Sequence, residues 1–186
     1  MTLSRRALRI AVLTAATLST ASAQTPATAK PAAETPAGAR PAAASAAPLT
    51  EKNVSMHMAL AIIDGVLEQC TKDGYKVSVV IVSNDGVVRA SLRGDGTAPH
   101  TMEFARRKAY TARTRNMTSL EFMKQTDKPE SAYLRQIPEV VGVGGGVPIR
   151  VGNTPIGAVG VSGAPGGEKD EVCANAGIAR VADQLK

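Results

Sequence analysis

A strand, a tight turn and a returning strand near the middle of the chain constrain the fold more than any other feature. Five of the six residues from Val77 to Val82 are β-branched, which favours a strand. Asn84-Asp85-Gly86 follows and is typical of a hairpin turn. Val87 to Leu92 then forms the returning strand. Because a tight hairpin joins antiparallel neighbours, the sequence predicts an antiparallel sheet.

Helical and strand patterns on both sides of this hairpin complete one α+β domain. Apolar residues recur at every fourth position from Met58 to Cys70 and predict a first helix over about 54–71. Thr118 and Glu121 form a capping-box pattern at the start of a short third helix. Three apolar segments follow, and the predicted order is α-ββ-α-α-βββ-α, with strands at 140–143, 147–151 and 156–161. This order predicts a profilin-like, five-stranded antiparallel sheet with helices packed to one side.

The start of the chain has the pattern of a signal peptide. Three arginines within the first nine residues precede an apolar run and the small residues Ala21-Ser22-Ala23, as in a cleaved export signal over residues 1–23. The apolar run is too short to cross a bilayer. The arginine pair fits a twin-arginine signal and an ordinary basic start equally well. We therefore expect a periplasmic or secreted protein with no transmembrane segment after the signal is removed.

A second segment, residues 24–49, separates this signal from the domain. It consists mostly of Ala, Pro, Thr and Ser, so it has little apolar bulk with which to offset the entropy of ordering. We expect a disordered linker there, followed by one folded domain over residues 50–186.

The charge of the chain argues against nucleic acid as a partner. The formal net charge is +6, but the signal carries three arginines and no acids. The remaining 19 basic and 16 acidic residues give only +3. Aromatic residues make up 3% of the chain, too few for a basic and aromatic surface that stacks bases.

Catalytic and phosphate-binding motifs are absent from the sequence. Gly142 to Gly146 is rich in glycine but lacks the Gly-Lys-Ser/Thr ending of a phosphate loop and precedes a strand. Its glycines are better explained by a bend or by close approach of two chain segments. Ser162 lacks the Gly-x-Ser-x-Gly frame, and no zinc motif surrounds either histidine. The sequence therefore favours binding over catalysis.

Four side chains are candidates for ligand binding. His57 lies between Met56 and Met58 in the first turn of a helix, and imidazole and thioether groups both serve as axial ligands of haem iron. His100 precedes the second helix, where a turn or capping role is the alternative. Arg93 and Lys108 are candidates to bind the carboxylates of a ligand. Gly166-Gly167, ahead of the last helix, fits either an anion site or a plain flexible loop.

The two cysteines, Cys70 and Cys173, fall on predicted helices near opposite ends of the domain. In an oxidising compartment this pair is compatible with a disulfide or with two small buried thiols.

Several ordered motifs follow one another along the domain. They are the hairpin from Val77 to Gly86, Leu92-Arg93-Gly94-Asp95-Gly96, Arg107-Lys108-Ala109-Tyr110-Thr111-Ala112, Gly145-Gly146-Val147-Pro148-Ile149, and Ile156 to Ala164 with Lys169-Asp170-Glu171. Together they resemble the GlcG/HbpS family of haem-binding proteins, which is related to the C-terminal domain of PduO-type corrinoid adenosyltransferases. The likeness covers nearly all of residues 53–186.

The resemblance implies a profilin-like fold, frequent oligomers, and haem or iron binding in some members. The positions that it implies for ligands differ here. A haem-associated histidine aligns with Asn53, a threonine at the haem iron aligns with Val140, and an acidic pair used for iron aligns with Glu103 and Arg106. Valine cannot ligate iron, and the arginine breaks the acidic pair.

Three functional hypotheses follow. The first is an exported protein that binds haem or a related tetrapyrrole for sensing, scavenging or protection, with His57 as the metal ligand. It would form a homo-oligomer and act with a membrane sensor partner. The second is a haem-modifying or corrinoid-related enzyme, for which the sequence offers no clear acid or base. The third is an oligomeric protein-interaction module without a cofactor.

Overall fold

The structure is a computed structural model that describes residues 48–186. The predicted signal peptide lies outside the described residues, as does all of the predicted linker except Pro48 and Leu49. Four α-helices, four strands and two 3-10 helices follow in the order α1 (Met56–Lys72), β1 (Ser78–Ser83), β2 (Val88–Arg93), α2 (Thr101–Arg115), α3 (Ser119–Thr126), a 3-10 helix (Pro129–Gln136), β3 (Gly146–Val151), β4 (Thr154–Ser162), α4 (Gly167–Ala179) and a 3-10 helix (Ala182–Gln184).

The strands form an antiparallel sheet in the order β2-β1-β4-β3. The predicted hairpin joins β1 to β2, and Gly86 takes a positive φ of 81° in its turn. The capping box at the start of α3 is also confirmed, because Thr118 and Glu121 each accept a hydrogen bond from the other's backbone N–H. The α+β class and the antiparallel sheet therefore agree with the sequence.

The prediction of five strands is wrong, because the part of the chain that the structure describes forms four. The segment predicted as a strand at 140–143 runs instead beside α2. The N–H of Val141 donates to the Thr111 hydroxyl over 2.8 Å, and the Arg107 guanidinium donates to the Val140 carbonyl over 3.0 Å. These α2 side chains satisfy the backbone groups that a neighbouring strand would otherwise bind.

Helices cover both faces of the sheet, so the prediction of helices on one side is also wrong. Successive strand residues point to opposite faces. Val79 and Ile81 join the main hydrophobic core with α1 and α4, whereas Val80 and Val82 pack with alanines of α2. Gly160 lets α2 approach closely, because a Cβ there would lie 1.9 Å from the Ala105 carbonyl oxygen. No helix among residues 48–186 is long and apolar enough to cross a membrane.

A disulfide between Cys70 and Cys173 ties α1 to α4. The two cysteines are 103 residues apart in sequence, and their side chains are 1% and 0% exposed. Of the two alternatives that the sequence left open, the structure therefore contains the bridge.

Candidate functional site

A cleft of about 730 Å³ opens at one end of the sheet. Ser78 at the start of β1 pairs with Arg93 at the end of β2 and with Ser162 at the end of β4. The loops that follow β2 and β4 therefore emerge side by side, and each leads into a helix. As a result α2 and α4 both begin at the cleft, which Thr101 and Gly167 help to line.

The floor of the cleft contains a buried ion pair that joins α2 to α4. The Lys108 ammonium donates to Asp170 Oδ2 over 2.7 Å and to the Val161 carbonyl over 3.0 Å, and both residues are 2% exposed. The N–H of Ala164 donates to the other Asp170 oxygen. Burial raises the pKa of the Asp170 carboxyl, and the nearby Lys108 charge opposes that increase.

The glycine-rich segment makes room for this pair. A Cβ on Gly145 would lie 2.6 Å from the Asp170 Cβ, and a Cβ on Gly146 would lie 2.1 Å from the Lys108 carbonyl oxygen. The prediction that these glycines permit close chain approach is therefore confirmed.

The rim of the cleft carries cationic and aromatic side chains. The His100 ring meets the Phe104 ring edge-on, with 5.6 Å between the centroids. The Lys169 ammonium lies 5.4 Å from the centroid of the Tyr75 ring. Lys76 crosses the rim near Gly96, because its ammonium lies 3.0 Å from the place where a Cβ on that glycine would stand. The rim is therefore suited to a ligand that is flat and carries negative charge.

Of the four residues predicted from sequence, His100 and Lys108 line the cleft. Arg93 lies beside it, and its guanidinium donates to the Thr97 hydroxyl over 3.1 Å and to the Thr97 carbonyl over 3.0 Å. Arg93 and Lys108 are thus engaged within the chain, and their binding of ligand carboxylates stays a prediction. His57 is exposed in the first turn of α1 and is not among the cleft residues, so its role as metal ligand also stays a prediction.

Sequence reasoning did not assign Lys76, Lys169 or Asp170 to the site, although the last two belong to a motif that resembles the family. The sequence places Asp170 in the first turn of α4, where an acidic residue suits the helix dipole. That pattern gives no sign of the partner on α2, which lies 62 residues away in sequence. Lys76 lines the cleft and Lys169 borders it at Tyr75; both positions depend on tertiary contact, which leaves no local pattern in the sequence.

The positions that align with ligand sites of the family are hydrogen-bonded, buried or ion-paired within this chain. Asn53 Oδ1 accepts from the N–H of Asn84 over 3.0 Å, and Val140 is 3% exposed. Arg106 forms an ion pair with Glu103 over 2.7 Å, in place of the acidic pair. Within residues 48–186 no group of three or more His, Cys, Asp or Glu side chains could hold a metal ion.

Comparisons with known proteins agree on one family. A family model described as "Haem degrading protein HbpS-like" matches residues 54–179. The chain is 31% identical over 113 residues to protein GlcG of Escherichia coli strain K12. The aligned stretch covers 61% of this chain and 84% of that protein.

Solved structures share the fold. The crystal structure of a double mutant of HbpS from Streptomyces reticuli has a TM-score of 0.69 and 34% identity, over 77% of this chain and 97% of that one. A PduOC:haem complex has a TM-score of 0.63 and 24% identity, over 69% of this chain and 94% of that one. At that identity the second likeness supports the fold alone.

Proposed function

The chain belongs to the HbpS-like family, and from this premise we propose that it binds haem or a related tetrapyrrole in the cleft between the starts of α2 and α4. The observation that carries the proposal is the position of His100, an exposed imidazole at the rim of that cleft.

The residues of the cleft fit such a ligand. Its volume of about 730 Å³ falls in the range of small-molecule sites. Phe104, Val143 and Pro165 supply an apolar lining, and imidazole is a common axial ligand of haem iron. In this arrangement His100 would hold the iron, and the aromatic and apolar groups would contact the macrocycle. When bound, haem would supply redox and ligand-binding chemistry at its iron.

A hemin titration of the purified protein, followed at the Soret band, tests the proposal. We expect a saturable shift that His100→Ala weakens by about tenfold or more, because a metal ligand is lost. His57→Ala is the matched control and should titrate like the wild type. If His57→Ala changes the band and His100→Ala does not, the ligand is His57 and the cleft is not the haem site. The absence of any saturable shift would contradict haem binding itself.

We propose further that the protein binds haem without degrading it, although the family model's description names degradation. The buried acid and base at the cleft floor, Asp170 and Lys108, are hydrogen-bonded to each other and are therefore poorly placed to transfer protons to a ligand. The hemin complex should keep its Soret band on incubation with ascorbate. Loss of the band with formation of verdohaem or bilin products would favour the enzymatic alternative.

The export signal predicted from the sequence supports a proposed role outside the cytoplasm in sensing, scavenging or protection, and fractionation of the native cells tests that location. Homo-oligomer formation draws support from the exposed edge strand β2, where Val88 is 44% and Leu92 is 39% exposed. Light scattering of the purified protein measures the subunit number. A pull-down with and without residues 24–49 tests whether a membrane sensor partner recognises the linker.

A further inference from the structure

We infer that the cleft selects its ligand by carboxylate groups, which Lys76 and Lys169 bind together with the first N–H groups of α2 and α4. The inference rests on the proposed function for the identity of the ligand, a haem with two propionates. It adds which atoms of that ligand determine affinity.

The residues that line the cleft carry a small excess of positive charge, because Lys76 and Lys108 stand against one acid, Asp170. Asp170 is matched by Lys108 through the buried ion pair. Neither Lys76 nor Lys169 forms an ion pair within residues 48–186. Three further charged residues border the cleft without lining it: Lys169, Glu168 and Asp95. The Glu168 carboxylate lies 3.3 Å from the place where a Cβ on Gly166 would stand, so it is the acid that a ligand carboxylate would have to avoid.

The two lysines also border the aromatic part of the site. Lys76 lines the cleft next to Tyr75, and Lys169 lies over the ring of that tyrosine. A planar ligand that contacts Tyr75 would therefore bring substituents at its edge within reach of both ammonium groups. Carboxylates are the substituents for which ammonium groups are suited.

Two helix starts add hydrogen-bond donors to these cations. Neither His100 at the start of α2 nor Gly166 at the start of α4 caps its helix with a side-chain hydrogen bond. The N–H groups of Thr101 and Lys169 already donate to the carbonyls of Ala98 and Gly166. The remaining first-turn N–H groups have no partner within their helices, and the helix dipole favours an anion there; they belong to Met102, Glu103, Gly167 and Glu168. Both starts line the same cleft.

Hemin and hemin dimethyl ester, titrated into the purified full chain, test the inference. The ester keeps the macrocycle and iron but lacks both negative charges. We expect the ester to bind about tenfold more weakly than hemin. The double variant Lys76→Gln/Lys169→Gln should weaken hemin by a similar factor and should no longer distinguish hemin from the ester. Lys128→Gln, an exposed lysine outside the cleft, is the matched control.

A second measurement keeps the inference testable if hemin does not bind. Succinate is added to the ¹⁵N-labelled protein, and the amide resonances of residues 101–103 and 167–169 are followed. Shifts there in the wild type that the double variant loses would support the carboxylate site, even if the absence of hemin binding contradicts the proposed function. The inference would be overturned if the ester bound as tightly as hemin, or if the double variant still preferred hemin to the ester. Where hemin does not bind, the absence of succinate shifts from both segments would overturn it.

Discussion

Removal of the Lys108 ammonium should destabilise the domain strongly, because it leaves the buried Asp170 carboxylate without its cation. In Lys108→Met the side chain keeps its length and loses its charge. The carboxylate that remains is 2% exposed and keeps only backbone N–H partners such as that of Ala164. Breaking a buried pair in this way costs about 3–5 kcal/mol. For a domain of this size that corresponds to a fall in Tm of roughly 10–15 °C.

Urea unfolding followed by circular dichroism at pH 7 measures this loss. The double variant Lys108→Met/Asp170→Asn removes both charges and should recover stability to within about 2 kcal/mol of the wild type. Lys128→Met is the matched control, because Lys128 is exposed, and should change the free energy of unfolding by less than about 0.5 kcal/mol. A loss below about 1 kcal/mol in Lys108→Met would refute the reasoning.

The loss should also depend on pH in a fixed direction. Burial raises the pKa of Asp170 in the folded protein, and removal of Lys108 takes away the main opposing effect. Because the pKa of Asp170 in the folded variant then lies above its ordinary value, the folded state binds the proton more tightly than the unfolded state does. Stability must therefore fall as pH rises through the folded pKa. The deficit of Lys108→Met should shrink as the pH is lowered from 7 toward 4, and a deficit that grows would contradict this account.

Three further changes should lower stability. Gly160→Ala should cost more than about 2 kcal/mol in urea unfolding, because its Cβ would clash with the Ala105 carbonyl; a near-neutral result would contradict the close packing of α2. Reduction of the Cys70–Cys173 disulfide should cost about 4 kcal/mol, since it opens a loop of about 100 residues; an unchanged Tm in reductant would oppose this. Thr118→Ala should cost about 1 kcal/mol through loss of the α3 cap, and Thr118→Ser should restore it.

Local patterns predicted the elements of the fold better than their arrangement. The hairpin turn at Asn84-Asp85-Gly86 and the capping box at Thr118 depend on neighbours in sequence, and both were predicted. The extra strand at 140–143 was wrong because its apolar residues pack beside α2, whose side chains bind its backbone. A short apolar run predicts burial and does not identify the hydrogen-bond partner.

The sequence of β1 contained a sign that helices cover both faces of the sheet. The run from Val77 to Val82 has almost no polar residue at alternate positions, and all six residues of β1 are buried. A strand without alternation is covered on both faces, which is the arrangement that the structure has.

The candidate site was only partly predictable. His100 and Lys108 were identified by residue type, and both line the cleft. The pairing of Lys108 with Asp170 and the position of Lys76 depend on which loops meet at the end of the sheet. Residue spacing carries no information about that meeting.

The buried disulfide has a consequence for where the chain folds. Both sulfur atoms are closed off from solvent in the finished domain, so an oxidant must reach them while the polypeptide is still open. A copy that folded in a reducing compartment would carry two buried thiols, whereas a copy that folded in an oxidising compartment would carry the bond. The oxidation state of this cysteine pair therefore indicates in which kind of compartment each molecule folded, and intact mass spectrometry of native material measures it.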